Sequence, residues 1–223
     1  MNKLPVPTSK PFSPLFVAFT VAVDGASRRN ISKSQLSVVV ATCVTTSARA
    51  VTPYAPTMPE YSIRELTSAD LASATVINNA NVPAVGAADE AKMAHLCELA
   101  EVALAVVDAN DVVVGFCVVL PAGTACESVN YRWFGERFDD FVYLDRVAFA
   151  ASACNQGLGT RLYGEVERRV SAAQFCCEVN LRPRNDGSLR FHERLGFAEV
   201  GQLETDYGVL VSLLAKPLRS AGE

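Results

Sequence analysis

The sequence predicts an α+β domain, on three observations. Apolar runs with strand character alternate with helix-period segments in the order β-α-α-β-β-β-α-β-α-β-β. Val112–Leu120 is almost continuously apolar, as a strand buried on both faces would be. Phe141–Arg169 then reads as a strand, a Gly-rich turn and a helix, with Gly157 and Gly159 bracketing Leu158 at the helix mouth. Leu158, Leu162, Val166 and Val170 recur every four residues and give that helix one apolar face.

The elements follow in order. Tyr61–Leu66 alternates as a first strand, and Thr67 or Ser68 caps a helix running to about Asn79. Asn81-Val82-Pro83 breaks it. Asp89 opens a second helix with Met93, Leu96, Cys97 and Ala100 on one stripe; His95 lies off the stripe, as a solvated residue. Val102–Val107 and Val112–Leu120 form a hairpin around Asp108-Ala109-Asn110-Asp111. Residues 121–140 read as a long loop rich in aromatics. Phe175–Leu181 is a strand, Asn185–Leu195 a helix, and Phe197–Glu204 with Tyr207–Lys216 a closing hairpin.

Charge is unevenly spread. Of 223 residues with net charge −4, residues 1–57 hold six Lys/Arg and one acid, Asp24. The remainder holds fourteen basic and twenty-three acidic residues, a balance of −9. That argues against nucleic acid as a partner and suits attraction of a cationic amine. The seven cysteines show no C-x-x-C pair and there are two histidines, so zinc-site spacing is absent and no metal is expected. An odd count without framework spacing suits a reducing compartment.

Residues 1–57 are expected to be a disordered or non-native extension, with the folded domain at 58–219. Lys3 and Lys10 ahead of the apolar run Leu15–Val23 also fit a secretory signal, and the Ser-rich, acid-poor composition fits an organelle leader. Translation starting at Met58 is the third reading. The apolar run is too short to span a bilayer. A cytoplasmic protein is expected unless the leader is genuine.

Glycines at a helix mouth bare the backbone N–H groups, and the helix dipole adds positive potential, so the turn suits an anionic group such as a phosphate. Together with Asn185-Asp186-Gly187-Ser188-Leu189-Arg190-Phe191-His192-Glu193-Arg194-Leu195-Gly196-Phe197, this turn resembles the GNAT acetyltransferase superfamily. That family has a Gln/Arg-x-x-Gly-x-Gly/Ala turn and a later Asn-x-x-Ala-x-x-x-Tyr-x-x-x-Gly-Phe helix. The resemblance implies a mixed, mostly antiparallel central sheet with helices on both faces. It implies acetyl-CoA as co-substrate, strands at 141–149 and 175–181 that splay apart, and no metal. Val147, Ala148 and Phe149 would offer the strand edge to the pantetheine arm. Cys154, Asn155, Gln156, Gly157, Leu158, Gly159 and Thr160 would line the pyrophosphate turn, and Asn185 and Ser188 would face the cofactor. Three departures stand out: Cys154 replaces the family's Gln/Arg, Ser188 replaces its Ala, and His192 replaces its Tyr.

The resemblance implies amine acetylation by direct attack in a ternary complex. The family's usual acid is a Tyr at the position of His192, which can donate a proton near neutral pH or serve a structural role. For the base, Glu178 in Glu178-Val179-Asn180 resembles the Glu-Val-Arg of ribosomal-protein N-terminal acetyltransferases. Asp145 is the second candidate, placed by alternation on the strand face of Tyr143 and Val147. Tyr131, Trp133 and Tyr143 are the candidates for contact with the acceptor, a small-molecule or peptide amine, and a homodimer remains open. The competing reading is a CoA-binding regulatory or interaction domain without turnover. A dinucleotide-binding oxidoreductase is disfavoured, because the turn lies late in the chain and position 162 is Leu rather than a third Gly.

Overall fold

A computed structural model describes residues 60–218; the expected extension at 1–57 lies outside them. Seven strands form one sheet: β1 Ser62–Glu65, β2 Val102–Val107, β3 Val113–Pro121, β4 Phe141–Phe149, β5 Gln174–Arg182, β6 Ala198–Glu204 and β7 Leu210–Pro217. Their spatial order is β1-β2-β3-β4-β5-β7-β6. Every neighbouring pair is antiparallel except β4 with β5.

Five α-helices cover the sheet: α1 Leu71–Ala80, α2 Glu90–Leu99, α3 Val129–Gly135, α4 Leu158–Arg169 and α5 Asp186–Arg194. The start of α2 is fixed by Asp89, whose carboxylate accepts from Lys92 N at 2.8 Å. Ala74, Ile77, Met93 and Leu96 bury one face of the sheet together with Tyr131 and Phe134 of α3. Leu158, Leu162, Tyr163 and Val166 of α4 bury the other, with Phe191 of α5 packed against them. Both cores therefore share one sheet, and the element order agrees with that read from the sequence except for the added helix α3 between β3 and β4.

Residues 121–140 depart from expectation. Ser128 accepts from Tyr131 N and starts the seven-residue α3, which is a helix and not part of a loop. Phe134 is fully buried, and Tyr131 packs on Phe141 and Tyr143 with ring centroids 5.5 and 5.6 Å apart. The aromatic residues of this stretch are thus the anchors of a short helix.

Strand β4 carries a bulge. Val118 of β3 pairs with Arg146 while Val119 pairs with Leu144, so Asp145 is the extra residue. The alternation expected along β4 therefore breaks. Tyr143 enters the α1–α3 core whereas Val147 packs on the α4 side, and Asp145 does not share a face with both. Just ahead of the bulge β4 and β5 part: their parallel pairing is confined to Phe141↔Gln174, Val142↔Phe175 and Tyr143↔Cys176.

Arg146 ties this region to the segment between α1 and α2. It is 6% exposed and donates to Asn78 Oδ1 at 2.9 Å and to Gly86 O at 2.6 Å. Asp145 Oδ2 lies 3.2 Å from its Nε. Replacing it leaves the buried Asp145 carboxylate without its counter-charge and Asn78 Oδ1 without a donor, while Gly86 O keeps the bond from Asn78 Nδ2. Arg146→Met should lower stability by about 3 kcal/mol, roughly 10 °C in Tm, measured by urea and thermal unfolding. An unchanged midpoint would show that the pair carries no net stabilisation.

Candidate active site

A cavity of about 670 Å³ opens where β4 and β5 separate. One wall is β4 from Leu144 to Phe149; the other is Cys177 and Glu178 of β5. Asn81, Ala84 and Val85 close one side, while the mouth of α4 and the first turns of α5 form the rest. Past Tyr143 the β4 backbone has no strand partner on the β5 side, so a peptide-like arm can pair with it there.

The mouth of α4 is built for close approach. Gly157 is the N-cap at φ 74°, ψ 3°, and no side chain caps the helix. The first N–H groups of α4 therefore have no intrahelical or side-chain acceptor. Asn155 also has positive φ, 60°, so two left-handed residues curl the backbone ahead of the helix. A Cβ at Gly157 would meet nothing within 4 Å and would project into open space, although the left-handed backbone itself favours glycine. At Gly159 the constraint is different. A Cβ there would lie 3.0 Å from the Phe191 ring, so this glycine lets α5 pack against α4.

Of the residues expected on the cofactor side, Val147, Ala148, Phe149, Cys154, Asn155, Gly157, Leu158, Gly159, Thr160, Asn185 and Ser188 line the cavity. Gln156 does not; its amide turns back and donates to Ser152 O at 2.6 Å. Asn185 spends its carbonyl on capping α5, accepting from Ser188 N at 3.0 Å. Cys154 is exposed, and its thiol lies 3.5 Å from Ala150 O.

The three catalytic candidates all border the cavity. Glu178 Oε2 accepts a hydrogen bond from Tyr143 Oη at 2.6 Å. Burial raises the Glu178 carboxyl to about 7; the Tyr143 hydrogen bond opposes this and nearby Asp145 adds to it. Burial likewise raises Asp145, against the Arg146 guanidinium beside it. His192 is 4% exposed, and both its ring nitrogens are engaged. Nδ1 lies 2.8 Å from Ser188 O and Nε2 lies 2.9 Å from Tyr163 Oη. Burial lowers the imidazole's pKa, opposed by the Ser188 carbonyl.

None of the three acceptor candidates lines the cavity. Tyr131 Oη donates to Pro121 O at 2.6 Å and accepts from Thr124 N at 2.8 Å, so it pins the chain after β3. Trp133 lies over Gly201 of β6, where a Cβ would come within 2.5 Å of its ring, and the Arg137 guanidinium sits 3.8 Å from the ring centroid. The helical geometry of α3 directs both rings into packing. Tyr143 reaches the site through Glu178. Tyr163 lines the cavity and was not singled out from sequence. Its one signal there was a phenol beside the apolar stripe of α4.

Among the described residues no group of three or more His, Cys, Asp or Glu is placed to hold a metal ion. Nor is any described helix long and apolar enough to cross a membrane.

The structure is similar to that of the ribosomal-protein-S18-alanine N-acetyltransferase from Escherichia coli, at TM-score 0.54 and 21% identity over 74% of this chain and 97% of that one. It is similar to Arabidopsis thaliana NAA60 in complex with acetyl-CoA, at TM-score 0.58 and 17% identity over 71% and 99%. It also resembles a GNAT superfamily phosphinothricin acetyltransferase from Sinorhizobium meliloti in complex with AcCoA, at TM-score 0.56 and 18% identity over 73% and 91%. These likenesses establish the fold. No curated protein matches the chain. The sequence model of the Acetyltransferase (GNAT) family matches residues 74–197, more than half of the chain, and those residues carry the splayed strands, the α4 mouth and the α5 helix. The chain belongs to the acetyltransferase (GNAT) family, and its class of activity is acetyl transfer.

Proposed function

We propose that this protein is an N-acetyltransferase that moves the acetyl group of acetyl-CoA to a primary amine by direct attack in a ternary complex. The observation that carries the reading is Glu178. It sits on the β5 wall just beyond the last β4–β5 pair, hydrogen-bonded to Tyr143 and raised to about 7. A carboxyl poised there can be ionised and still basic enough to take a proton from an amine at neutral pH.

The donor fits the cleft from end to end. Uncapped N–H groups of α4 suit the pyrophosphate, with the helix dipole behind them. The free edge of β4 suits the amides of the pantetheine arm. Backbone N–H groups between Val147 and Phe149 are the candidates for polarising the thioester carbonyl. The grip on phosphate comes mostly from main chain, so Cys154 in place of Gln/Arg weakens it without removing it.

Glu178 is the proposed base, taking the acceptor's proton as its nitrogen attacks. Asp145, re-aimed by the bulge, is the second carboxylate and favours a cationic acceptor at the cleft. Small amines, amino acids, peptide N-termini and lysines are all acceptors of the right chemistry.

The test is release of CoA thiol from acetyl-CoA with a panel of these amines, with the acetylated product identified by mass. Amide formation with at least one class supports the reading. Tight binding of acetyl-CoA with no amine acetylated would instead favour a regulatory CoA-binding domain.

A further inference from the structure

Glu178 lines the cavity, but the side chains that hold it do not. They come from β4 and from the first turn of α3. Ser128 starts that helix by accepting from Tyr131 N at 3.4 Å. The Tyr131 ring meets the Tyr143 ring edge-on, with centroids 5.6 Å apart. Tyr143 Oη in turn donates to Glu178 Oε2 at 2.6 Å. Asn130, between Ser128 and Tyr131 in the chain, brings its amide to the same carboxyl.

Packing alone does not account for Asn130. It is 2% exposed, and its Oδ1 has no hydrogen-bond partner among the described residues. Burying an amide with an unused oxygen costs stability that an apolar side chain of similar size would keep. The NH2 end is where the amide has polar neighbours. It carries two hydrogens. Nδ2 lies 3.4 Å from Tyr207 Oη in the β6–β7 turn, a long contact that leaves donor capacity for Glu178. Burial and Asp145 oppose ionisation of Glu178, whereas Tyr143, the Asn130 amide and the residue's own backbone N–H favour it.

We propose that Asn130 is a positioning residue for Glu178, its NH2 group holding the carboxylate toward the acceptor amine while Tyr143 holds it from β4. This deepens the acetyl-transfer reading and rests on Glu178 being its base. A carboxylate held by donors from two elements keeps one orientation, and Asn130 touches neither co-substrate because it does not line the cavity. The titratable groups around Glu178 are Tyr143 and Asp145 of β4, Cys126 ahead of α3, Cys177 of β5 and Tyr163 of α4. Burial pushes both tyrosines and both cysteines up, so they stay uncharged through neutral pH. Asp145, beside Arg146, is the other carboxylate.

The variants are Asn130→Ala, which removes the donor, and Asn130→Asp, which replaces it with a like charge. The rate of the wild type should rise through about pH 7. In Asn130→Ala that limb should move to higher pH by about one unit, and in Asn130→Asp by about two. Above the limb, kcat of Asn130→Ala should return to within about threefold of wild type, with acetyl-CoA affinity within about twofold. Its Tm should change by less than about 3 °C, since the unsatisfied oxygen leaves with the donor. A readout that needs no turnover is the carboxyl carbon resonance of Glu178 in isotope-labelled full-length protein, assigned by its loss in Glu178→Gln. Its titration midpoint should rise in step with the limb. A Glu178 midpoint that is the same in both folded variants as in the wild type overturns the assignment, whatever the activity. A limb near pH 7 that persists in Glu178→Gln overturns instead the choice of Glu178 as base.

Discussion

Gly157→Glu is expected to weaken acetyl-CoA binding by about 100-fold or more, equivalent to losing two charge-assisted hydrogen bonds to phosphate. The backbone at this position is left-handed, φ 74°, a conformation that costs a non-glycine residue about 1–2 kcal/mol. The added side chain projects into open space at the α4 mouth, so it need not clash with protein. What it brings is a negative charge and bulk where the pyrophosphate is proposed to rest. Gly157→Ala separates the contributions, since it carries the backbone strain without the charge, and it should weaken binding by only about tenfold. Calorimetry on both variants, with melting curves as a check on folding, decides the matter. Unchanged affinity in Gly157→Glu would refute the backbone contact.

Glu178→Gln is the second large effect. The amide fills the same volume and can still bond Tyr143, but it cannot take a proton. The expected loss in kcat is about 100-fold to 10,000-fold, with acetyl-CoA affinity nearly unchanged. The pH profile gives a separate reading. The carboxyl is raised to about 7, chiefly by burial, so below that pH it is protonated and cannot act as base. The rate of the wild type should therefore climb as pH rises through about 7. In Glu178→Gln that limb should vanish and leave only the ionisation of the acceptor amine. A variant keeping the limb near 7 would move the role elsewhere, with Asp145 the next candidate.

Much of this architecture was legible in the sequence because its main elements are periodic. The stripe at Leu158, Leu162 and Val166 marks α4, and Gly157 marks a turn at its mouth whose left-handed backbone favours glycine. Asp89 marks the start of α2 by its capping chemistry. Helix α3 was not legible, since seven residues hold too few turns for a period and it is held by tertiary packing of Tyr131 and Phe134. Reading its aromatics as loop residues led to Tyr131 and Trp133 being assigned to the acceptor, whereas both are used in packing.

The bulge at Asp145 had no sequence signature either. Strict alternation put that carboxylate on the face of Tyr143 and Val147, and one extra residue was enough to separate the two. Gly159 was read as clearance for phosphate, yet its missing Cβ also makes room for Phe191. The Tyr163–His192 contact joins residues 29 apart on two helices, and no spacing rule along a single helix could reveal it.

The reading of the cleft stands or falls on main-chain amides at the entrance to α4. The direct measurement is a titration of isotope-labelled protein with acetyl-CoA, following backbone amide resonances. Large shifts confined to Asn155–Thr160 and the free edge of β4, with the far end of α4 undisturbed, are the predicted result. Saturable binding that leaves the Asn155–Thr160 amides unmoved would contradict it.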